Sequence, residues 1–160
     1  MKTENKLPTA CIYIDQNNIF FRYKKLDFGK LLKELKKEYD VIRAVSYMAL
    51  DKNADSQKKF ITYLSNNGYR CETLDLSDDT NIDHILIPNL VNDFQRLKPK
   101  NIILLSGDAH FSYALNLLSQ QGARTTVIGA RNFIAYELLK VCDDVKYLED
   151  YDGIILDSGN

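Results

Sequence analysis

The sequence predicts an α/β three-layer sandwich, a mostly parallel sheet of five or six strands with helices on both faces. Apolar runs alternate along the chain with amphipathic segments, the pattern of strands joined by crossover helices. Two of those runs, ACIYID (10–15) and NIILLSGD (101–108), are continuously apolar, as central strands covered on both sides are. No internal repeat or low-complexity stretch interrupts 9–150, and 160 residues with 45% hydrophobic content suit one domain flanked by short tails at 1–8 and 151–160. The layout expected is Rossmann-like.

The elements follow in order. The first strand, 10–15, closes on Asp15 and leads into a helical turn carrying Asn18. A helix is expected over 27–38, with Phe28, Leu31, Leu32 and Leu35 at helical spacing and Asp27 as N-cap. Lys30, Lys33, Lys36 and Lys37 then form its solvated face. After a strand at 41–50, a helix over 53–67 stops at Asn66-Asn67-Gly68, and YRCETLDL (69–76) reads as the third strand. Residues 82–97 are helical in pattern but contain Pro88, which removes a backbone donor and crowds the preceding turn, so a kink or a start near it is expected. The fourth strand, 101–108, precedes a helix over 109–121 that packs Phe111, Ala114, Leu115 and Leu118 and stops at Gly122. A fifth strand at 123–129, a helix over 132–142 packing Phe133, Tyr136, Leu138 and Leu139, and a short strand at 144–148 complete the pattern.

Composition narrows the function. No apolar run reaches the roughly 18–20 residues of a membrane helix, and the opening MKTENKLPTA lacks the apolar core of a signal peptide, so a soluble cytoplasmic protein with no membrane partner is expected. Cys11, Cys71 and Cys142 lie far apart without CxxC spacing and read as buried free thiols of a reducing compartment. With only His84 and His110 beside them, a zinc site of His and Cys is not expected, and any metal must rest on carboxylates. A net charge of −1 neither recommends nor excludes a nucleic-acid partner.

In an open parallel sheet, ligands bind beyond the carboxyl ends of the strands, above all where strand order reverses. Asp15 and Asp108 stand at such ends on the two strands read as central, and both precede helices. Two carboxylates in one crevice repel, and a divalent cation between them is the remedy expected at neutral pH. Asp83, after the third strand, is either a third member of the site or an N-cap. Asn18 follows Asp15 by three residues and either orients it, touches a ligand or caps the helix. Ser106 shares a strand face with Asp108, and Gly107 between them allows the close backbone approach of a phosphate-binding turn.

The blocks YIDQNNIF (13–20), NIDHILIPN (81–89), LLSGDAHF (104–111) and ELLKVCDDVKYL (137–148) resemble, in order and spacing, the NYN domain, the LabA-like branch of the PIN-like metal-dependent nucleases. Asp15, Asn18, Asp83, Ser106, Gly107, Asp108 and Phe111 match that family's patterns. Two positions depart from them. Asn89 stands where the family has a second middle acid, and His110 where it has the second acid of S-G-D-x-D-F.

The resemblance implies a PIN-like sandwich, an acidic site holding Mg²⁺ or Mn²⁺, and RNA, single-stranded or structured, as substrate. It makes Asp15 and Asp108 the expected metal ligands, direct or through water, and Asp83 a third ligand or the group that orients the attacking water. His110, where the family has an acid, is expected from imidazole chemistry alone to exchange a proton near neutral pH. Asn18, Asn89, Ser106 and Gly107 are expected to orient those acids or contact phosphate, and Arg22, Lys24, Lys25 and Arg131 to meet RNA at the crevice rim. Phe20, Phe21 and Tyr23 read as packing residues rather than stacking platforms. A homodimer is expected as one way for a nearly neutral domain to build an RNA groove.

Two rivals stand beside the nuclease. Loss of two acids, at 89 and 110, predicts weaker metal binding, so a degenerate NYN domain that binds RNA or a protein without cutting is the alternative. A nucleotide- or phosphoprotein-type switch on a similar sheet fits the strand-end acids, but the chain lacks both GxxxxGK[ST] and a GxGxxG after the first strand.

Overall fold

The computed structural model describes residues 6–51, 54–75 and 81–157. Six strands form one all-parallel sheet: β1 (Thr9–Asp15), β2 (Asp40–Leu50), β3 (Arg70–Asp75), β4 (Asn101–Leu105), β5 (Arg124–Gly129) and β6 (Asp144–Tyr147), in the order β3-β2-β1-β4-β5-β6. The helices are α1 (Gln16–Arg22), α2 (Phe28–Glu38), α3 (Asp55–Asn66), α4 (Asp83–Leu97), α5 (Ser112–Gln120) and α6 (Tyr136–Val141). The predicted strand end at Leu76 and helix start at Asn53 lie outside the described residues.

β1 pairs with β2 on one side and β4 on the other, so strand order reverses between β1 and β4 at the centre of the sheet. Alternation along β1 splits its side chains between two cores. Ile12 and Ile14 pack with Phe28, Leu31, Leu32 and Leu35 of α2, whereas Cys11 and Tyr13 pack with Leu86 and Leu90 of α4 and Leu115 and Leu118 of α5. Both faces are covered, which is why this strand is apolar throughout.

Several boundaries differ from the sequence pattern. β4 ends at Leu105, so Ser106-Gly107-Asp108 form the turn beyond the strand rather than its last residues. Pro88 lies inside a continuous α4 on its exposed side, little more than a turn from the N-terminus; the amide it lacks would have met the carbonyl of His84, itself an exposed residue. The helix expected over 132–142 is only Tyr136–Val141, preceded by a loop in which Asn132 takes a positive φ of 69°. Leu138 packs there, while Phe133, Tyr136 and Leu139 are exposed. Of the thiols, Cys11 is buried but Cys71 and Cys142 only partly so.

Residues 151–157, read above as tail, lie against the body. Ile154 is fully buried, Leu26 and Ile155 form an antiparallel bridge, and the Ile154 carbonyl accepts from the Asp27 amide. Among the described residues no helix is long and apolar enough to cross a membrane.

Candidate active site

The cleft begins at the end of β1. Asp15 is the N-cap of α1, its Oδ1 accepting from the Asn18 amide at 3.4 Å. Its Oδ2 accepts from the Ser106 hydroxyl at 3.2 Å, and that hydroxyl accepts in turn from the Asp108 amide at 3.1 Å. The Asn18 side-chain oxygen accepts from the Gly107 amide at 2.8 Å. Two turns, one after β1 and one after β4, are therefore locked together, by the Asn18 side chain on the Gly107 backbone and by the Ser106 hydroxyl on the Asp15 carboxylate. The parallel register that sets β1 beside β4 brings them there.

Asp15 is only 6% exposed, and burial pushes its carboxyl up to about 6. The hydrogen bonds from Asn18 and Ser106 oppose that rise, and the charges of Asp108 and Asp83 add to it. Asp108 caps the 3-10 turn Ala109–Phe111 through the His110 amide at 3.0 Å. Asp83 is the first residue of α4 and does not cap it: Ile82 holds the N-cap position, without a side-chain bond. The Asp83 Oδ1 is buried with no hydrogen-bond partner among the described residues.

His110 lies between the acids. Its Nδ1 is 3.1 Å from one Asp108 oxygen and 3.8 Å from Asp83 Oδ2, and its side chain is 73% exposed. Asp15, Asn18, Phe21, Asp83, Asp108 and His110, with Asn17, Asn81 and Ile82, line one open cleft of about 390 Å³. Three carboxylates on one cleft, one with an unpartnered buried oxygen, supply the hard oxygen donors that Mg²⁺ and Mn²⁺ take. In the present arrangement no three metal-binding side chains among the described residues converge tightly enough to hold an ion. The donor chemistry fits, and the side chains must close in to complete it.

Other expected residues lie elsewhere. The Asn89 amide donates to the Tyr47 hydroxyl at 3.2 Å, and Asn89 does not line the cleft. Arg131 pairs with Asp150 at 2.6 Å and lies 4.1 Å from the Tyr147 ring centre, away from the acids. Lys24 and Lys25 are exposed beyond α1 and line neither the cleft nor its neighbouring pocket. Gly107 permits a close approach, but by the chain's own Phe133 carbonyl, which would stand 1.9 Å from an added Cβ, rather than by a phosphate. Phe20 packs on Phe60 and Tyr23 is buried, but Phe21 is 81% exposed on the cleft. Helical phase carries that signal: with Gln16 and Ile19 turned inward, Phe21 falls on the outer face of α1.

Fold and acids together define a carboxylate-lined α/β domain with its cleft at the topological switch point. The NYN domain signature matches residues 9–149, and the chain belongs to that family, whose members are generally nucleases. It is 26% identical over 162 residues to the low amplitude and bright protein LabA of Synechococcus elongatus, covering 90% of this chain and 86% of that one. A crystal structure of a protein of unknown function from Vibrio parahaemolyticus shares the fold at TM-score 0.79 and 21% identity, over 98% of this chain and 100% of that one.

Proposed function

We propose that this chain is a metal-dependent ribonuclease in which Asp15, Asp83 and Asp108 hold Mg²⁺ or Mn²⁺. The observation that carries the reading is three carboxylates, Asp15, Asp83 and Asp108, on one cleft, with the Oδ1 of Asp83 buried and unpartnered among the described residues. Three acids in one cleft repel a phosphodiester, so RNA enters only with a cation that offsets their charge. Bound there, that cation would lower the pKa of an attacking water and offset charge on the phosphate oxygens.

The chain's own groups do the remaining work. Ser106 and Asn18 fix Asp15 and the turn that carries Asp108. Asp108 engages His110 through Nδ1, leaving Nε2 as the atom that exchanges a proton with the leaving oxygen. The RNA-binding reading places Arg22 in the pocket beside the cleft and leaves Lys24 and Lys25 as long-range attraction.

A second reading rests on His110 itself. An imidazole between Asp108 and Asp83 occupies the ground between two prospective ligands, as expected of an NYN domain that binds RNA or a partner without cutting. Cleavage of labelled single-stranded and structured RNA, in Mn²⁺, Mg²⁺ or EDTA, separates the two. The nuclease predicts metal-dependent cutting that falls at least about 100-fold in Asp108→Asn. Inert wild type with activity gained in His110→Asp supports the binder, and cutting unchanged in Asp108→Asn sinks the assigned site.

A further inference from the structure

Beside the acidic cleft lies a smaller pocket of about 190 Å³, and the two share Asn18 and Phe21 as a common wall. Its floor is apolar, from buried Ile19 and Leu148, and its mouth is aromatic, from Phe21 at 81% and Phe133 at 46% exposure. Arg22 forms the polar side. Its guanidinium carbon lies 4.7 Å from the Tyr23 ring centre and 5.2 Å from that of Phe133. No carboxylate or hydrogen-bond acceptor among the described residues meets it, and its Nε is buried without a partner.

A guanidinium held over two rings with no acceptor among the described residues keeps N–H groups unmet, and a ligand in the pocket that Arg22 lines can supply the acceptor. The ligand must present a flat π face to the aromatics and a hydrogen-bond acceptor on its edge. It must also be small, since the pocket is below the roughly 300 Å³ of a drug-sized site. We infer that this pocket receives one unpaired nucleobase, stacked against Phe21 and Phe133 and accepting a hydrogen bond on its edge from Arg22, next to a phosphate in the acidic cleft. The inference rests on the ribonuclease reading for the phosphate, but base capture itself needs no cleavage. It makes single-stranded RNA the substrate class, because a paired base is already stacked and its edge is spent.

The first test is titration of the ¹⁵N-labelled full chain with free adenosine and uridine, which carry no phosphate, and with ribose, which carries no base. Nucleosides shift the amides of Asn18, Phe21, Arg22 and Phe133, and ribose does not; unmoved pocket amides overturn the inference. The second test measures binding of a labelled single-stranded oligoribonucleotide in the Asp108→Asn background, so that the RNA stays intact. Adding Phe21→Ala weakens binding about 5- to 150-fold, the range of one lost base stack. Because Phe21 is exposed, its truncation leaves the core whole, and Arg22→Gln provides an independent loss of the edge contact. A change under about twofold in both variants, or equal weakening for a fully paired duplex, overturns the inference. Failure of the ribonuclease reading shows separately, as absence of cutting in every metal while nucleosides still shift the pocket.

Discussion

Gly107 joins two parts of the molecule that the sequence keeps 26 to 28 residues apart, for its carbonyl accepts from the Ala135 amide at 3.0 Å while its α-carbon faces the Phe133 carbonyl. A methyl group there collides with backbone, which cannot swing away as a side-chain tip does. Gly107→Ala should therefore cost about 2 kcal/mol or more, within the range for overpacked sites, and displace the loop carrying Phe133. Urea unfolding reads the first effect and the amide shifts of Phe133 and Ala135 the second; full stability with unmoved amides would show that the loop yields freely. At this scale the acids were legible because carboxylates at strand ends have a known destination. The neighbouring pocket was not: Phe21 and Phe133 look like packing residues until the loop after β5 is folded back on the turn after β4.

At the scale of elements, α4 is fixed to the sheet by one buried acid. Asp93 is 3% exposed, accepts from the Tyr13 hydroxyl at 2.8 Å and lies 2.9 Å from Arg43 Nε, so it ties α4 to both β1 and β2. Burial and this acid together push the Tyr13 phenol far above its usual range. Asp93→Ala strands a buried phenol and a mostly buried arginine and should cost about 3–5 kcal/mol. An unfolding free energy from urea titration within about 1 kcal/mol of wild type would mean the cluster is dispensable. Strands and helices were readable to the extent that periodicity alone decided them. Asp27 caps α2 through the Lys30 amide as its position suggested, and the stops at Gly68 and Gly122 take positive φ of 92° and 103°. Residues 132–135 read as helix because Phe133 falls at helical spacing with Tyr136, whereas contact with Gly107 and the left-handed Asn132 hold them as a loop. Residues 151–157 carry no periodic signal at all, and only the fit of Ile154 into the core reveals their place.

For the whole molecule, the cleft makes stability depend on pH and, on the proposed metal reading, on cations. The Asp15 carboxyl titrates near 6 in the folded chain, above the roughly 3.9 of an unfolded aspartate, so the folded state holds that proton more tightly. This contribution to stability is full below about pH 4 and is lost as pH rises through 6, amounting to up to about 3 kcal/mol. In EDTA, Asp15→Asn should thus gain stability over wild type on going from pH 4.5 to 7.5, and Mn²⁺ at pH 7.5 should raise the melting temperature of wild type more than of the variant. Parallel melting curves for the two chains at every pH would refute the assignment. The sheet order has a consequence in time as well. Ser106 is made 91 residues after its partner Asp15, a delay of roughly 5–20 s at ordinary elongation rates. Until β4 slots in beside β1, a nascent chain surrounded by ribosomal RNA carries its acids unassembled, so on the ribonuclease reading no cutting begins before Asp108 has been made.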